Sequence, residues 1–201
     1  MEPVRRVAGR AMPLDRENVD TDQIIPAHWL KRTERTGYGA GLFEAWRKDP
    51  AFVMNDPRYR GAAVLIAGAN FGSGSSREHA AWALLEGGFR AVVAPKFADI
   101  FRANAQRNGL VPVVLATPVV TTLMRAVEHD PALEIVVDVE AGALHAAAIG
   151  LHEHFVLEPR ARDALVNGWD EIEITEQHAA QVAAFEATRP QWLPMTTRRA
   201  T

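Results

Sequence analysis

The residues best suited to chemistry lie in one short stretch, Gly72–His79, which reads GSGSSREH. An apolar run precedes it, and a run with helix-forming composition follows it. A strand, a glycine-serine turn and a helix together present backbone N–H groups and hydroxyls to an anion, and the positive end of the helix dipole favours negative charge there. Arg77 adds a planar set of donors that suits a carboxylate or a phosphate. The stretch therefore predicts a small-anion site centred on Ser75, Ser76 and Arg77.

A simple helix cap is the local alternative for the same stretch. Ser75 and Glu78 have the spacing of a capping box, with the serine as N-cap and the glutamate at the third helical position. A cap does not explain the glycines at Gly72 and Gly74 or the cation at Arg77. A cation in the first turn opposes the helix dipole by about 0.3–1 kcal/mol, a cost that a bound anion offsets.

Three common signatures do not fit this stretch. A dinucleotide-binding turn needs glycine where Arg77 stands. A Walker A loop needs lysine followed by serine or threonine after its last glycine, whereas Gly74 is followed by two serines. A nucleophile elbow needs glycine two residues to each side of its serine, and neither Ser75 nor Ser76 has that environment. Nucleotide binding and serine-hydrolase chemistry are therefore not predicted.

Other polar residues give weaker signals. His79 is either an acid–base group or a structural residue on a helix face. Asp20 and Asp22 are spaced as in calcium loops, but the further oxygen ligands and the turn glycine are missing, so they are expected to form a turn. His152 and His154 would share the face of a strand, and no metal site is predicted from them.

The apolar pattern predicts an α/β fold that positions the turn between a buried strand and a helix. A half-buried strand is expected at 133–139 with a hairpin partner at 143–149, and Pro112 indicates an edge or bulge position for its strand. Strands are expected at 4–14, 62–68, 91–94, 110–115, 133–139 and 143–149, and helices at 76–86, 97–107, 117–128, 159–166 and 176–188.

Residues 27–60 interrupt this pattern. Glycines and prolines recur there, with one short helix expected at 42–46. Long irregular segments in compact domains commonly carry function, so this region is predicted to be a lid or specificity loop.

Composition limits the class of protein. The chain has 201 residues, a net charge of −3 and no cysteine. One domain over 1–201, with a flexible tail at 190–201, is expected from this length. The charge argues against a nucleic-acid partner, and no apolar run approaches the roughly 18 residues of a membrane span. The absence of cysteine fits a cytoplasmic location and leaves no thiolates for an iron–sulfur cluster.

Three stretches together resemble a known family. Asn70–Leu84 closely resembles the signature of the small subunits of 3-isopropylmalate dehydratase, and it is similar to the C-terminal swivel domain of aconitase. Asn18–Pro26 looks like the family's N-terminal motif. Phe97–Phe101, followed by Asn104 and Asn108–Pro112, looks like its third motif. The resemblance runs from about residue 5 to residue 195.

The resemblance implies a swivelling β/β/α domain with a C-terminal helical extension. In the family, this domain closes over a separate large subunit that carries a [4Fe–4S] cluster and most substrate ligands. The implied reaction, in leucine biosynthesis, interconverts 2-isopropylmalate and 3-isopropylmalate by dehydration and rehydration through 2-isopropylmaleate. This chain would bind no cofactor itself and would be inactive without the large subunit.

The resemblance also implies roles for single residues. Ser75 corresponds to the serine that removes the proton, and Ser76 and Arg77 correspond to binders of the substrate carboxylates. Asp22 matches an active-site aspartate, and Lys31 and Arg32 are further candidate substrate contacts. The supporting residues of the turn are Gly72, Gly74, Glu78 and His79.

Two alternatives remain at the level of sequence. One is a related hydro-lyase that acts on citraconate and citramalate or on homoaconitate. The other is a non-enzymatic module that binds carboxylates without a partner.

Overall fold

The computed structural model describes residues 1–34, 36–190 and 192. Within them, the chain alternates between strands and helices, as an α/β fold requires. The strands are β1 Arg6–Leu14, β2 Val64–Ala67, β3 Ala91–Ala94, β4 Val111–Val114, β5 Glu134–Asp138, β6 Ala143–Ala146 and β7 Leu151–His154. The α-helices are α1 Thr21–Ile24, α2 Glu44–Arg47, α3 His79–Glu86, α4 Asp99–Arg107, α5 Thr117–His129, α6 Pro159–Asn167, α7 Glu171–Glu176 and α8 Ala179–Ala187.

The described strands form one sheet in the order β4-β3-β2-β1-β5-β6-β7. Strand β1 joins two halves of different type, because it runs parallel to β2 and antiparallel to β5. The half that contains β2, β3 and β4 is parallel, and the half that contains β5, β6 and β7 is antiparallel. The predicted edge position of Pro112 is confirmed, since β4 ends the sheet.

Burial in the core explains the sequence patterns of β2, β3 and β5. All four residues of β2 and of β3 are buried, so their sequences are continuous apolar runs. Strand β5 instead alternates between buried residues and more exposed ones, as expected for a strand with one covered face. Helix α5 places Val120, Leu123 and Val127 in the core.

The region 27–60 contains short helical pieces instead of regular elements. Its predicted short helix is α2, two residues later than expected at its start. The 3₁₀ turns of this region are Ala27–Lys31, Tyr38–Gly41, Val53–Asn55 and Pro57–Tyr59. Phe43, Trp46 and Phe52 pack against one another with ring centroids 5.4–5.8 Å apart.

The chain divides into two compact units, Met1–Gly168 and 169–201. In the second unit, the single helix expected at 176–188 is wrong in extent. The structure has α7 and α8, separated at Gln177 and His178. Asp170 accounts for the start of α7, because it forms a capping box with Glu173. The tail predicted at 190–201 lies outside the described residues except for Pro190 and Trp192.

In the described part of the chain, each helix is too short or too polar to cross a membrane.

Candidate active site

The predicted turn lies between β2 and α3, and two of its glycines have left-handed backbone conformations. Gly72 has a φ of 78° and Gly74 a φ of 85°, which glycine adopts without steric cost. Gly72 is also needed for space, because a Cβ there would lie 2.2 Å from Cγ of the buried Phe101. The turn is therefore fixed directly on the aromatic core below it.

The start of α1 and the residues just before it hold the turn from one side. The N–H of Gly72 donates to the carbonyl of Val19 at 2.8 Å, and the N–H of Thr21 donates to the carbonyl of Ser73 at 2.9 Å. The buried hydroxyl of Thr21 then donates to the carbonyl of Ser75 at 3.0 Å. The first and second sequence motifs thus meet in the structure, and Thr21 sets the backbone position of Ser75.

The predicted helix start is wrong by three residues. Helix α3 begins at His79 with Glu78 as its N-cap, and Ser75 makes no capping bond. Two long-range contacts explain the difference. Thr21 holds the Ser75 carbonyl, and the Glu78 carboxylate accepts a hydrogen bond from Nδ2 of Asn108 at 2.9 Å. The capping box is therefore excluded, and the serines belong to an extended turn.

This turn leaves a set of donors exposed. Ser75 and Ser76 are exposed, and among the described residues neither hydroxyl forms a hydrogen bond. Within the same described part, the backbone N–H groups of residues 75–79 donate to no other group. Several free N–H groups and two hydroxyls on one turn are donors of the kind that bind a carboxylate or a phosphate in proteins.

Arg77 follows the two serines in the turn, and its side chain is largely covered. Its guanidinium donates to the carboxylate of Asp22, and Nη1 lies 3.5 Å from the carbonyl of Ile25. The side chain of Arg77 is 13% exposed and that of Asp22 is 53% exposed. The structure thus brings together two residues that are 55 positions apart in the sequence. A guanidinium that already holds one carboxylate has the geometry to hold another.

His79 belongs to an aromatic cluster at the start of α3. Its ring centroid lies 5.1 Å from that of Tyr38 and 4.7 Å from that of Trp82. Burial lowers the pKa of His79 below its ordinary value; Glu78 opposes this shift and Arg77 adds to it. The neutral ring is therefore favoured, and the contacts support a packing role for His79.

Asn108 connects α4 to α3 behind the turn. Its Oδ1 accepts from the indole N–H of Trp82 at 2.8 Å, while its Nδ2 donates to Glu78 at 2.9 Å. Thr21 and Asn108 were not singled out as site residues from the sequence. Both nevertheless lie within the motifs that carry the resemblance, which is the signal that could have identified them.

Lys31 and Arg32 lie at the end of the 3₁₀ turn Ala27–Lys31. The Arg32 guanidinium carbon lies 5.3 Å from the ring centroid of Trp29 and 6.0 Å from that of Tyr38. Its Nε lies 3.6 Å from the carboxylate of Glu34. Arg32 is therefore linked to the turn through the rings of Tyr38 and His79, while Lys31 is exposed.

The described residues provide no metal centre. No three histidine, aspartate or glutamate side chains among them group as ligands, and the sequence has no cysteine. Thiolates are the usual ligands of iron–sulfur clusters, so the residues described in this chain do not fit such a cluster.

Comparison with known proteins identifies the family. The model of the aconitase C-terminal domain matches residues 1–118. The chain is 55% identical to the 3-isopropylmalate dehydratase small subunit of a Parafrankia species, over 98% of this chain and 100% of that protein. It is 54% identical to the small subunit from Streptomyces coelicolor, again over 98% and 100% of the two chains. The chain belongs to the 3-isopropylmalate dehydratase small-subunit family.

A solved member of the family has the same fold. The crystal structure of 3-isopropylmalate dehydratase from Methanocaldococcus jannaschii superposes with a TM-score of 0.66 at 27% identity. The match covers 89% of this chain and 99% of that one. The predicted family, the hydro-lyase class and the α/β swivel-domain fold are therefore confirmed. The roles of individual site residues stay predictions.

Proposed function

We propose that this chain is the small-subunit half of a hydro-lyase that interconverts 2-isopropylmalate and 3-isopropylmalate through 2-isopropylmaleate in leucine biosynthesis. The observation that carries the proposal is the exposed Ser75-Ser76 turn, with its free N–H groups and Arg77 beside it. The substrates are dicarboxylates, and the donors of this turn suit a carboxylate. Full-length similarity to small subunits supports the choice of reaction.

Ser75 is the proposed base that takes the proton from the carbon next to a substrate carboxylate. A serine hydroxyl is a weak base, so its alkoxide must be stabilised by nearby donors. The free N–H groups of residues 75–79 and the guanidinium of Arg77 are the available donors in this chain. The electron pair of that C–H bond forms the double bond as the hydroxyl group leaves the adjacent carbon. On rehydration, Ser75 returns the proton to this adjacent carbon, and the hydroxyl group adds to the carbon that had lost the proton.

Ser76 and Arg77 are proposed to hold the substrate carboxylates. Asp22 pairs with Arg77 in the free chain, so a bound carboxylate would share or replace this contact. Lys31 and Arg32 are proposed as further contacts from the region 27–60, which would act as the specificity loop. Gly72, Gly74, Glu78 and His79 would position the turn.

A large subunit is the proposed partner of this chain. Ser75 and Ser76 lie on an exposed surface, whereas a stabilised alkoxide needs a site from which water is excluded. A partner that covers the turn would exclude this water. The [4Fe–4S] cluster is assigned to that partner, since the described residues of this chain do not fit one. The proposed location of the complex is the cytoplasm, and the proposed swivel domain spans 1–201.

The variant Ser75→Ala tests the proposal in a complex reconstituted without oxygen with its large subunit. Loss of a positioned base lowers kcat by about 10²–10⁴-fold, while the complex stays intact by size-exclusion chromatography. Ser73→Ala is the matched control in the same turn, because the Ser73 hydroxyl makes only a 3.5 Å contact with the Asn18 carbonyl. Full turnover in Ser75→Ala would remove Ser75 from the mechanism.

The same complex tests the substrate. Rates with isopropylmalate are compared with rates on citraconate and on homoaconitate. Faster turnover of either of these two would assign the chain to a related hydro-lyase. Binding of carboxylates by the isolated chain, with no turnover in any complex, would indicate the non-enzymatic module.

A further inference from the structure

Helix α3 connects the serine turn to the region 27–60 through a carboxylate at its far end. Glu86 is the last residue of α3. Its Oε1 accepts the backbone N–H of Gly37 at 3.1 Å, and its Oε2 accepts the backbone N–H of Gly39 at 2.8 Å. We propose that Glu86 is a positioning residue that fixes the loop residues 36–41, and with them Lys31 and Arg32, relative to the Ser75 turn and thereby sets substrate affinity.

The charge of Glu86 is unfavourable for its own helix. The carboxyl end of a helix carries partial negative charge, which repels a carboxylate, and the last turn of α3 contains no basic residue. The two N–H groups of the loop compensate for this position. The contact with two loop amides therefore offsets the unfavourable position of the Glu86 carboxylate at this end of the helix.

Close packing shows that the loop is fitted to α3. A Cβ on Gly39 would lie 2.9 Å from Cβ of Glu86, and a Cβ on Gly87 would lie 2.4 Å from Cδ2 of Leu42. Both distances are too short for real contacts, so each glycine is required for the loop to approach the helix end. The approach thus depends on backbone shape as well as on hydrogen bonds.

The same loop segment also touches the first turn of α3. Tyr38, between the two glycines bound by Glu86, is fully buried and packs on the ring of His79 at 5.1 Å. The hydroxyl of Tyr38 donates to the carbonyl of Glu34 at 3.0 Å. The loop is therefore attached at both ends of an eight-residue helix that starts two residues after Arg77.

Arg32 depends on this attachment. A Cβ on Gly37 would lie 3.2 Å from a guanidinium nitrogen of Arg32, and the guanidinium also faces the rings of Trp29 and Tyr38. Release of Gly37 and Gly39 from Glu86 would free the surface on which Arg32 packs. This inference rests on the proposed function, in which Lys31 and Arg32 contact the substrate.

Limited trypsin digestion of the full chain tests the attachment without activity. The rate of cleavage after Lys31 and Arg32 is followed by mass spectrometry, with cleavage after Arg58 as the internal reference. Loss of two hydrogen bonds to a carboxylate should raise the rate about tenfold in Glu86→Ala, because cleavage follows the population of the open loop. Glu86→Gln keeps one acceptor oxygen, so its cleavage rate after Lys31 and Arg32 should rise about threefold.

Glu140→Ala is the matched control, since Glu140 is an exposed glutamate whose carboxylate pairs with Arg5 at 3.0 Å, outside the site. Equal cleavage rates in Glu86→Ala and Glu140→Ala would overturn the attachment. Glu86 is exposed, so its replacement leaves the core untouched.

Steady-state kinetics of the reconstituted complex test the effect on substrate. Glu86→Ala should raise KM for isopropylmalate about tenfold with kcat changed less than threefold, because Ser75 and its donors are unaltered. If the wild-type complex turns over isopropylmalate normally and Glu86→Ala leaves KM unchanged, the role of Glu86 is overturned while the proposed function stands. A wild-type complex that does not turn over isopropylmalate would instead overturn the proposed function.

Discussion

Replacement of Gly72 by alanine should separate the serine turn from the core. The new methyl group would lie 2.2 Å from Cγ and 2.5 Å from Cβ of Phe101. Phe101 cannot move aside easily, because it is buried and packs on Phe71 at 5.3 Å and on Phe97 at 6.2 Å. The backbone must also hold an L-residue at a φ of 78°.

The expected loss of stability has two parts. The left-handed conformation costs an L-residue about 1–2 kcal/mol, and insertion of a methyl group into a packed core costs about 1–3 kcal/mol. Gly72→Ala should therefore lower the free energy of unfolding by about 2–5 kcal/mol. The gain from a stiffer unfolded chain is the same for any glycine-to-alanine change.

Gly88→Ala is the matched control for the backbone part. Gly88 has a φ of 98°, and a Cβ there would meet no atom within 4 Å. This variant should lose only about 1–2 kcal/mol. Urea denaturation of both variants, followed by tryptophan fluorescence, measures the difference. Equal losses in the two variants would refute the argument that the turn is held by contact with Phe101.

Three further predictions concern the same site. Arg77→Lys keeps the charge but loses the planar set of donors, so KM for isopropylmalate in the complex should rise about ten- to a hundredfold; an unchanged KM would remove Arg77 from carboxylate binding. Burial lowers the pKa of His79 in the folded chain. As pH falls, the unfolded chain therefore takes up the proton before the folded chain does. The contribution of neutral His79 to stability is complete above its ordinary pKa of 6.5 and is lost as pH falls through the lowered folded value. Urea midpoints between pH 7.5 and 5.5 should therefore fall more steeply in the wild type than in His79→Gln, and parallel slopes would contradict this. Trp82→Phe removes the donor to Oδ1 of Asn108 and should lower the free energy of unfolding by about 1 kcal/mol, measured by urea denaturation with the fluorescence of the remaining tryptophans; no loss would show that this hydrogen bond does not stabilise the fold.

The buried strands could be predicted because each is a short local pattern, whereas β7, which alternates between half-buried and exposed residues, is not among the expected strands. The continuous apolar runs of β2 and β3 and the alternation in β5 indicated their positions without knowledge of their partners. The ends of helices at glycine could also be predicted from the local sequence, as at Gly87 after α3 and Gly168 after α6.

The start of α3 could not be predicted from local pattern. Ser75 and Glu78 have the spacing of a cap, but their partners, Thr21 and Asn108, are 54 and 30 residues away in the sequence. Hydrogen bonds at such separations leave no periodic signal near the turn. The same holds for Glu86, whose contacts with Gly37 and Gly39 span 49 and 47 residues.

The anion site itself could be proposed from residue types. The contacts between its side chains and neighbouring residues could not. Glycine, serine and arginine at close spacing indicated the donors of the turn. The pairing of Arg77 with Asp22 was anticipated only as common membership of one site, on the strength of the resemblance. The contact between their side chains depends on how α1 packs beside the turn, which a single sequence does not encode locally.

The position of β1 at the junction of the sheet has a consequence for how the chain folds during synthesis. Its parallel partner β2 follows about 50 residues later, but its antiparallel partner β5 follows only after residue 133. Contacts so distant in sequence slow folding, and an unpaired strand edge invites aggregation. Residues 1–118, which match the family domain, lack β5 and would leave this edge of β1 open. A fragment with those bounds should therefore self-associate. The nascent chain should likewise be prone to aggregation through the open edge of β1 until β5 has left the ribosome.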